Sequence, residues 1–308
     1  MAKISFVFPG QGAHKVGMGK GAHDETEAGR AVFAAADAAL GEQLSTLVFD
    51  GPEAQLQLTA NAQPAILTTS IALLRGLGEP CDAAAGHSLG EYSAHVAAGT
   101  LAFEDAVRLV RQRGLYMQEA VPVGVGAMAA VLGGDVEAIE KACADTEGVV
   151  EPVNYNCPGQ LVIAGEKAAV EHATELIKAA RAKVIPLAVS APFHCQLMRP
   201  AEDRFRPHLA SAAFSDPRFP VYVNVDAVPV ITATAARDAL VRQISRPVRW
   251  EQSIRRMLED GVGAFIEIGP GKVLAGMIRR IDKTAVCVSV ESPADFEAAR
   301  KAIAAQRA

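Results

Sequence analysis

The chain has 308 residues, which at ~150 residues per domain corresponds to one large or two modest domains. Half of its residues are hydrophobic but only 5% are aromatic, and 30 lysines and arginines against 35 aspartates and glutamates give a net charge of -5. This composition argues against a nucleic-acid-binding protein that uses a basic surface and stacked aromatic rings.

No segment is predicted to cross a membrane. The longest stretch without an ionisable side chain, residues 54–74, contains glutamines, an asparagine and a proline, and the apolar run at residues 4–8 is too short for a signal-peptide core. The five cysteines form no CxxC pair, which favours reduced thiols over disulfides or a zinc site. We therefore expect a cytoplasmic protein without a metal site.

The first part of the chain alternates short apolar runs with longer segments of helical spacing. In chain order we predict a strand at 3–8, helices at 27–40 and 65–77, a strand at 82–86, and helices at 91–98 and 103–120. This alternation is typical of a parallel sheet covered by helices.

A different order occupies the middle of the chain. There we predict a strand at 125–132, a helix at 136–144, strands at 149–155 and 161–164, a helix at 167–181 and a strand at 183–189. The order β-α-β-β-α-β is that of a ferredoxin-like unit. Alternation then resumes, with a strand at 221–225, helices at 235–244 and 250–259, a strand at 264–268, a helix at 273–281, a strand at 285–290 and a helix from 293. We predict an α/β protein with a discontinuous large domain, residues 1–123 and 191–308, and a small inserted domain, residues 124–190.

The most informative motif is GHSLG at residues 86–90, a GxSxG pattern between a predicted strand and a predicted helix. In that context the serine of a sharp turn projects above the sheet, and the following N–H groups open toward it at a helix N-terminus. Ser88 is therefore a candidate nucleophile. The alternative is a helix-initiating turn that Ser88 caps.

A serine hydroxyl needs a base to act as a nucleophile at neutral pH. Of the seven histidines, His194 lies on a proline-bearing loop where the inserted domain ends, which would place it in a cleft. His87 adjoins Ser88, but neighbours on a tight turn usually point apart. A purely structural role for His194 stays open at this stage.

The predicted helix at 103–120 carries Arg108, Arg111 and Arg113. One arginine facing the cleft could bind a carboxylate through two parallel hydrogen bonds and so select an acyl group with a free acid. If water accepted the acyl group from Ser88, the Ser88–His194 pair would make the protein a hydrolase. Any other acceptor would make it a transferase.

Several motifs spread over nearly the whole chain occur together in one family. They are FPGQG at 8–12, QPA at 63–65, GHSLGE at 86–91, RG at 113–114 with MQ at 117–118, Asn156 with PGQ at 158–160, PFHC at 192–195 and GPGKVL at 269–274. In this combination the chain resembles the malonyl-CoA:acyl-carrier-protein transacylases of bacterial type II fatty acid synthesis.

The resemblance implies a role for each matching residue. Ser88 would carry the malonyl group as an ester and His194 would be its base. Gln11 and the backbone N–H of Leu89 would form the oxyanion hole, and Arg113 would pair with the malonyl carboxylate. Further residues expected to contact or approach the substrate are Met117, Phe193, Gln63 and Asn156, the last on a loop at 154–160 of the small domain. The family fold is an α/β-hydrolase-like large subdomain with a ferredoxin-like small one.

Two positions depart from the family pattern. The resemblance implies that a backbone carbonyl from the loop before Trp250 orients the histidine, and here that loop, residues 247–249, has Arg249 where a glutamine is familiar. We expect this change to be tolerated and to add a cation near the cleft mouth. Phe193 stands where related transacylases often have serine, and its bulk would favour malonyl over methylmalonyl groups, although one methyl group is worth only about 1–3 kcal/mol.

The resemblance implies a malonyltransferase that uses malonyl-CoA and acyl carrier protein, with a ping-pong mechanism and without a metal or redox cofactor. We expect a monomer that binds neither nucleic acid nor membrane. The alternatives are a free-standing acyltransferase of a polyketide pathway, a serine esterase or thioesterase, and a non-catalytic carrier-binding protein.

Overall fold

The computed structural model describes residues 2–12, 14–122, 124–187, 189 and 191–308. The strands are β1 (Lys3–Phe8), β2 (Ala83–Gly86), β3 (Gly126–Leu132), β4 (Val150–Cys157), β5 (Gln160–Glu166), β6 (Lys183–Pro186), β7 (Val221–Tyr222), β8 (Pro229–Val230), β9 (Val262–Ile268) and β10 (Val286–Val290). The first helices are α1 (Lys20–Glu25), α2 (Glu27–Leu40), α3 (Leu44–Asp50), α4 (Glu53–Leu56), α5 (Thr59–Leu77), α6 (Gly90–Ala97) and α7 (Phe103–Glu119). The later helices are α8 (Val136–Ala144), α9 (Lys167–Ala179), α10 (Arg199–Ser211), α11 (Ala233–Arg242), α12 (Trp250–Glu259), α13 (Val273–Ile281) and α14 (Phe296–Arg307). None of the helices in these ranges is both long and apolar enough to span a bilayer.

The larger sheet has the strand order β10-β9-β1-β2-β7-β8, and its neighbours are parallel except β7 and β8. Strand β2 consists of three alanines and a glycine, all buried, as expected for a central strand covered on both faces. The register pairs Phe8 of β1 with Gly86 of β2. The segments that leave the carboxyl ends of these two strands, which lead to Gln11 and Ser88, therefore start side by side. These features confirm the predicted α/β class with a parallel sheet.

The smaller sheet has the order β4-β5-β3-β6 and is antiparallel throughout. Helices α8 and α9 pack on one of its faces around a core that includes Val131 and Ile163. The other face contributes Met128 and Val162 to a cluster with Cys195. The small sheet thus packs against the segment that carries His194.

Most predicted elements occur in the structure, with shifted ends. The helix predicted at 65–77 begins at Thr59, so Pro64 is its sixth residue and lies inside the helix, beyond the first four residues whose N–H groups have no helical partner. The strand predicted at 221–225 pairs only at Val221–Tyr222, because the N–H of Val223 donates to the Val228 carbonyl in a turn. The strand predicted at 183–189 ends at Pro186, and residue 188 lies outside the described residues. The predicted loop at 154–160 is a β-hairpin formed by the end of β4 and the start of β5.

Candidate active site

Ser88 lies in the turn between β2 and α6 with a φ of 51°, in the left-handed region that a residue with a Cβ adopts only at a cost. The flanking glycines make this turn possible. A Cβ on Gly86 would overlap the backbone of Gly90, and a Cβ on Gly90 would overlap the carbonyl of Phe8 in the neighbouring strand. The predicted strand–turn–helix context of the GxSxG motif is therefore present.

Two buried amide side chains hold the turn in this conformation. The Asn224 Oδ1 accepts the Ser88 N–H at 2.7 Å, and its Nδ2 donates to the Gly86 carbonyl at 2.7 Å. The Gln243 Nε2 donates to the Ser88 carbonyl at 3.0 Å. Both side chains are fully buried. Neither residue was predicted from the sequence, although one polar residue within the apolar run around Asn224 was a signal.

His194 contacts Ser88 directly. Its Nε2 lies 2.7 Å from the Ser88 Oγ, and its Nδ1 lies 2.8 Å from the backbone carbonyl oxygen of Gln243. Burial, reinforced by the nearby Arg113 cation, lowers the pKa of His194 to about 3. The ring is therefore neutral at physiological pH. Because a carbonyl can only accept, Nδ1 carries the proton and Nε2 is free to accept one from the hydroxyl.

The carbonyl that orients His194 differs from the expected one. The family resemblance implied a carbonyl at residues 247–249, before Trp250, but the carbonyl belongs to Gln243, which follows α11. The carbonyl of Val248 instead accepts the N–H of Tyr155 at 2.9 Å and so ties the small sheet to this loop. Arg249 is exposed, with its guanidinium carbon 5.8 Å from the Tyr155 ring centroid, so its cation does not touch the Ser88–His194 pair.

Arg113 is the arginine of α7 that reaches the serine. It is fully buried, and its Nη2 donates to the Ser88 Oγ at 3.2 Å. Arg108 is exposed and pairs with Asp105 on its own helix at 2.7 Å, whereas Arg111 pairs with a glutamate, Glu42, and an asparagine away from the serine. Only Arg113 of the three is placed to bind an acyl group attached to Ser88.

Among the described residues, only neutral groups accept hydrogen bonds from Arg113. Nη1 donates to the Gln63 Oε1 at 2.8 Å and Nη2 donates to the Gln243 Oε1 at 2.9 Å. Nε has no acceptor within the described part of the chain. A buried cation without a carboxylate partner is costly, and a negatively charged ligand would relieve that cost.

The two residues expected to form the oxyanion hole lie on the segments that follow β1 and β2. Among the described residues, no acceptor is found for the Leu89 N–H at the start of α6, so this donor is free to bind a negatively charged oxygen. Gln11 lies on the exposed loop after β1, and its Oε1 is 3.4 Å from the Gln63 Nε2. The oxyanion-hole role of the two residues stays a prediction.

The remaining expected substrate residues occupy different places. Met117 is buried with its sulfur 3.9 Å from the Gln63 Nε2, next to the arginine, and Phe193 is half-buried between the cores of the two sheets. Asn156 does not contact Ser88. Its Oδ1 is 2.9 Å from the Nε2 of His87, so it holds the residue before the nucleophile.

A strained serine at a strand–helix turn, hydrogen-bonded to a neutral histidine and to a buried cation, defines a serine-dependent acyl-transfer site. Within the described ranges, no group of three or more histidine, cysteine, aspartate or glutamate side chains is placed to hold a metal ion.

Comparisons with known proteins agree with this class. The acyl transferase domain family matches residues 5–294. The chain is 49% identical over 306 residues to the malonyl CoA-acyl carrier protein transacylase of Escherichia coli strain K12, covering 97% of this chain and 99% of that one. This chain belongs to the acyl transferase family and, within it, to the malonyl CoA-acyl carrier protein transacylases.

Solved structures of the same family share the fold. An acyl carrier protein S-malonyltransferase from Vibrio cholerae superposes with a TM-score of 0.94 at 48% identity, covering 97% of this chain and all of that one. A malonyl-transacylase in complex with its type II polyketide synthase acyl carrier protein also gives a TM-score of 0.94, at 46% identity and with 97% and 99% of the two chains covered.

Proposed function

We propose that this protein transfers the malonyl group of malonyl-CoA to the phosphopantetheine thiol of an acyl carrier protein through an ester on Ser88. The observation that carries the proposal is the environment of Arg113. A buried guanidinium that donates to the nucleophile's oxygen at 3.2 Å, and has only neutral partners among the described residues, suits an acyl group with a carboxylate one methylene beyond the ester carbonyl.

In the first half-reaction the Ser88 hydroxyl gives its proton to the His194 Nε2, and its oxygen attacks the thioester carbon. The Leu89 N–H and Gln11 stabilise the negatively charged oxygen of the tetrahedral intermediate. The carbon–sulfur bond then breaks, and the CoA thiolate takes the proton from His194. The imidazolium formed between these steps is stabilised through Nδ1 by the Gln243 carbonyl at 2.8 Å.

In the second half-reaction the thiol of the carrier protein gives its proton to His194 and attacks the Ser88 ester. The steps reverse, and Ser88 recovers its proton. Acyl exchange between an oxygen and a sulfur moves no net electrons, so no redox cofactor is part of this proposal. A cytoplasmic location is part of it, and the five free cysteine thiols suit a reducing compartment.

Intact-protein mass spectrometry after mixing with malonyl-CoA tests the first half. The wild-type chain is expected to gain the mass of one malonyl group, and Ser88→Ala to gain none. A wild-type chain that gains no mass, or a Ser88→Ala variant that is loaded equally well, would contradict the proposal.

A second candidate function keeps the chemistry and changes the pathway, because a polyketide carrier is the partner in one of the superposed structures. Offering the malonyl-enzyme equal amounts of a fatty-acid carrier and a polyketide carrier separates the two candidates. Faster discharge to the fatty-acid carrier supports a role in fatty acid synthesis, and faster discharge to the polyketide carrier supports the second candidate.

A further inference from the structure

The two glutamines that hold Arg113 differ from the usual partners of a buried arginine. Gln63 lies on α5 and Gln243 follows α11, both fully buried, and each offers its amide oxygen to the guanidinium, at 2.8 and 2.9 Å. A carboxylate in either place would bind the guanidinium more strongly, because both partners would be charged. It would also cancel the charge that a malonyl group needs.

The orientation of both amides is determined by their surroundings. The Gln243 Nε2 donates to the Ser88 carbonyl at 3.0 Å and lies 3.5 Å from the Asn224 Oδ1, which leaves Oε1 to face Arg113. The Gln63 Nε2 is directed to the Gln11 Oε1 at 3.4 Å. An amide that turned its N–H groups toward the guanidinium would place two donors against each other, so the observed orientation is the favourable one.

The one buried carboxyl group on the adjacent helix α6 does not replace these amides. Glu91 accepts the N–H of Asn224 at 2.7 Å through Oε2, and it makes no hydrogen bond to Arg113 among the described residues. Burial raises the pKa of Glu91 to about 7, so a large part of it is uncharged at neutral pH. Glu91 therefore attracts the guanidinium only through space and does not form a hydrogen-bonded ion pair with it.

We infer that Gln63 and Gln243 determine specificity, because as neutral acceptors they fix the Arg113 guanidinium beside Ser88 without neutralising it. The inference rests on the proposed malonyl transfer and adds to it. The preference for a charged acyl group then depends on the absence of charge at residues 63 and 243 as much as on the presence of Arg113.

The test is a competition between malonyl-CoA and acetyl-CoA for Ser88 in one tube, with the two acyl-enzymes resolved by intact mass at early times. We compare Gln63→Glu with Gln63→Leu, which removes the acceptor without adding charge. Gln55→Glu makes the same charge change on an exposed residue and serves as the control. Unfolded protein lowers both adducts equally, so the ratio reports only the folded enzyme.

Gln63→Glu is expected to lower the malonyl-to-acetyl ratio about 10- to 100-fold, the range for losing a hydrogen-bonded charge interaction. Gln55→Glu is expected to keep the wild-type ratio. Gln63→Leu loosens Arg113 without neutralising it and is expected to lower the ratio less than Gln63→Glu does. Gln243→Glu is expected to shift the ratio in the same direction as Gln63→Glu.

An unchanged ratio in Gln63→Glu would overturn the inference, and so would an equal fall in Gln63→Leu, since the amide would then act only by holding Arg113 in place. A wild-type enzyme that loads acetyl as readily as malonyl would instead contradict the proposed function itself. The two failures are therefore distinguishable.

Discussion

Removal of the Asn224 side chain tests how the turn at Ser88 is kept in its strained conformation. Asn224 is fully buried and bonds both sides of the turn, to the Ser88 N–H and to the Gly86 carbonyl, each at 2.7 Å. In Asn224→Ala both backbone groups lose their partner, and the serine, with its φ of 51°, loses a bond that opposes relaxation.

The magnitude follows from these two bonds. Each buried group left without a partner costs about 1–3 kcal/mol, so the free energy of unfolding is expected to fall by about 2–6 kcal/mol. Relaxation of the turn would also move the Ser88 Oγ away from the His194 Nε2, now 2.7 Å distant. A displacement of ~1 Å costs about 100-fold in rate, so we expect kcat to fall by about that factor with KM nearly unchanged.

The assay is steady-state malonyl transfer combined with thermal unfolding. Ser5→Ala is the matched control, because the buried Ser5 hydroxyl donates to the Ala83 carbonyl at 3.2 Å, at the far end of the same strand β2. This variant is expected to unfold more easily with kcat unchanged. If Asn224→Ala kept the wild-type kcat, or lost no more activity than Ser5→Ala, the reasoning about the strained turn would be wrong.

Three other predictions address the turn, the cation and the base. Gly90→Ala is expected to abolish transfer or folding, because a Cβ at residue 90 would overlap the Phe8 backbone. In the control Gly276→Ala the new Cβ meets nothing within 4 Å, and thermal unfolding should show a stability higher by about 0.5–1 kcal/mol. Arg113→Ala is expected to lower kcat/KM for malonyl-CoA about 10- to 100-fold with little change in kcat/KM for acetyl-CoA. The control Arg108→Ala is expected to change neither value. A proportional loss for both thioesters in Arg113→Ala would contradict a carboxylate-binding role. Because the pKa of His194 is lowered to about 3 from an ordinary 6.5, the base stays unprotonated in mild acid, and kcat/KM for serine acylation should not decline near pH 6.5 but only well below it. A midpoint near pH 6.5 would show that the ring titrates normally.

Local sequence patterns were sufficient to predict much of the fold. The apolar run of β1 and the helix from Glu27 to the glycine at Gly41 have the predicted bounds, because each is specified by its own periodicity and end signal. Helix α10 was missed, because its charged sequence contains prolines at two positions and its apolar face is small. Its formation depends on packing against α7 and α11, which a local pattern does not reveal.

Some residues of the site could also be predicted from local sequence, and others could not. Ser88 could be predicted because a strained strand-to-helix turn demands glycines at fixed spacing, and the family motifs pointed to His194 and Arg113. Asn224 and Gln243 could not, because the backbone groups of Ser88 that they bind lie 136 and 155 residues away along the chain. Such amides follow no local periodicity, and only the folded chain brings them to the turn. The wrong assignment of the carbonyl that orients His194 had the same cause.

If a malonyl group resides on Ser88 between donor and acceptor, the isolated malonyl-enzyme must be able to pass it to a carrier without CoA present. The acyl-enzyme is freed of CoA by gel filtration, mixed with a carrier protein that bears phosphopantetheine, and both proteins are weighed by mass spectrometry. The enzyme is expected to lose one malonyl group and the carrier to gain it, whereas a carrier without phosphopantetheine is expected to gain none. Release of free malonate without loading of the carrier would contradict the account and identify a hydrolase.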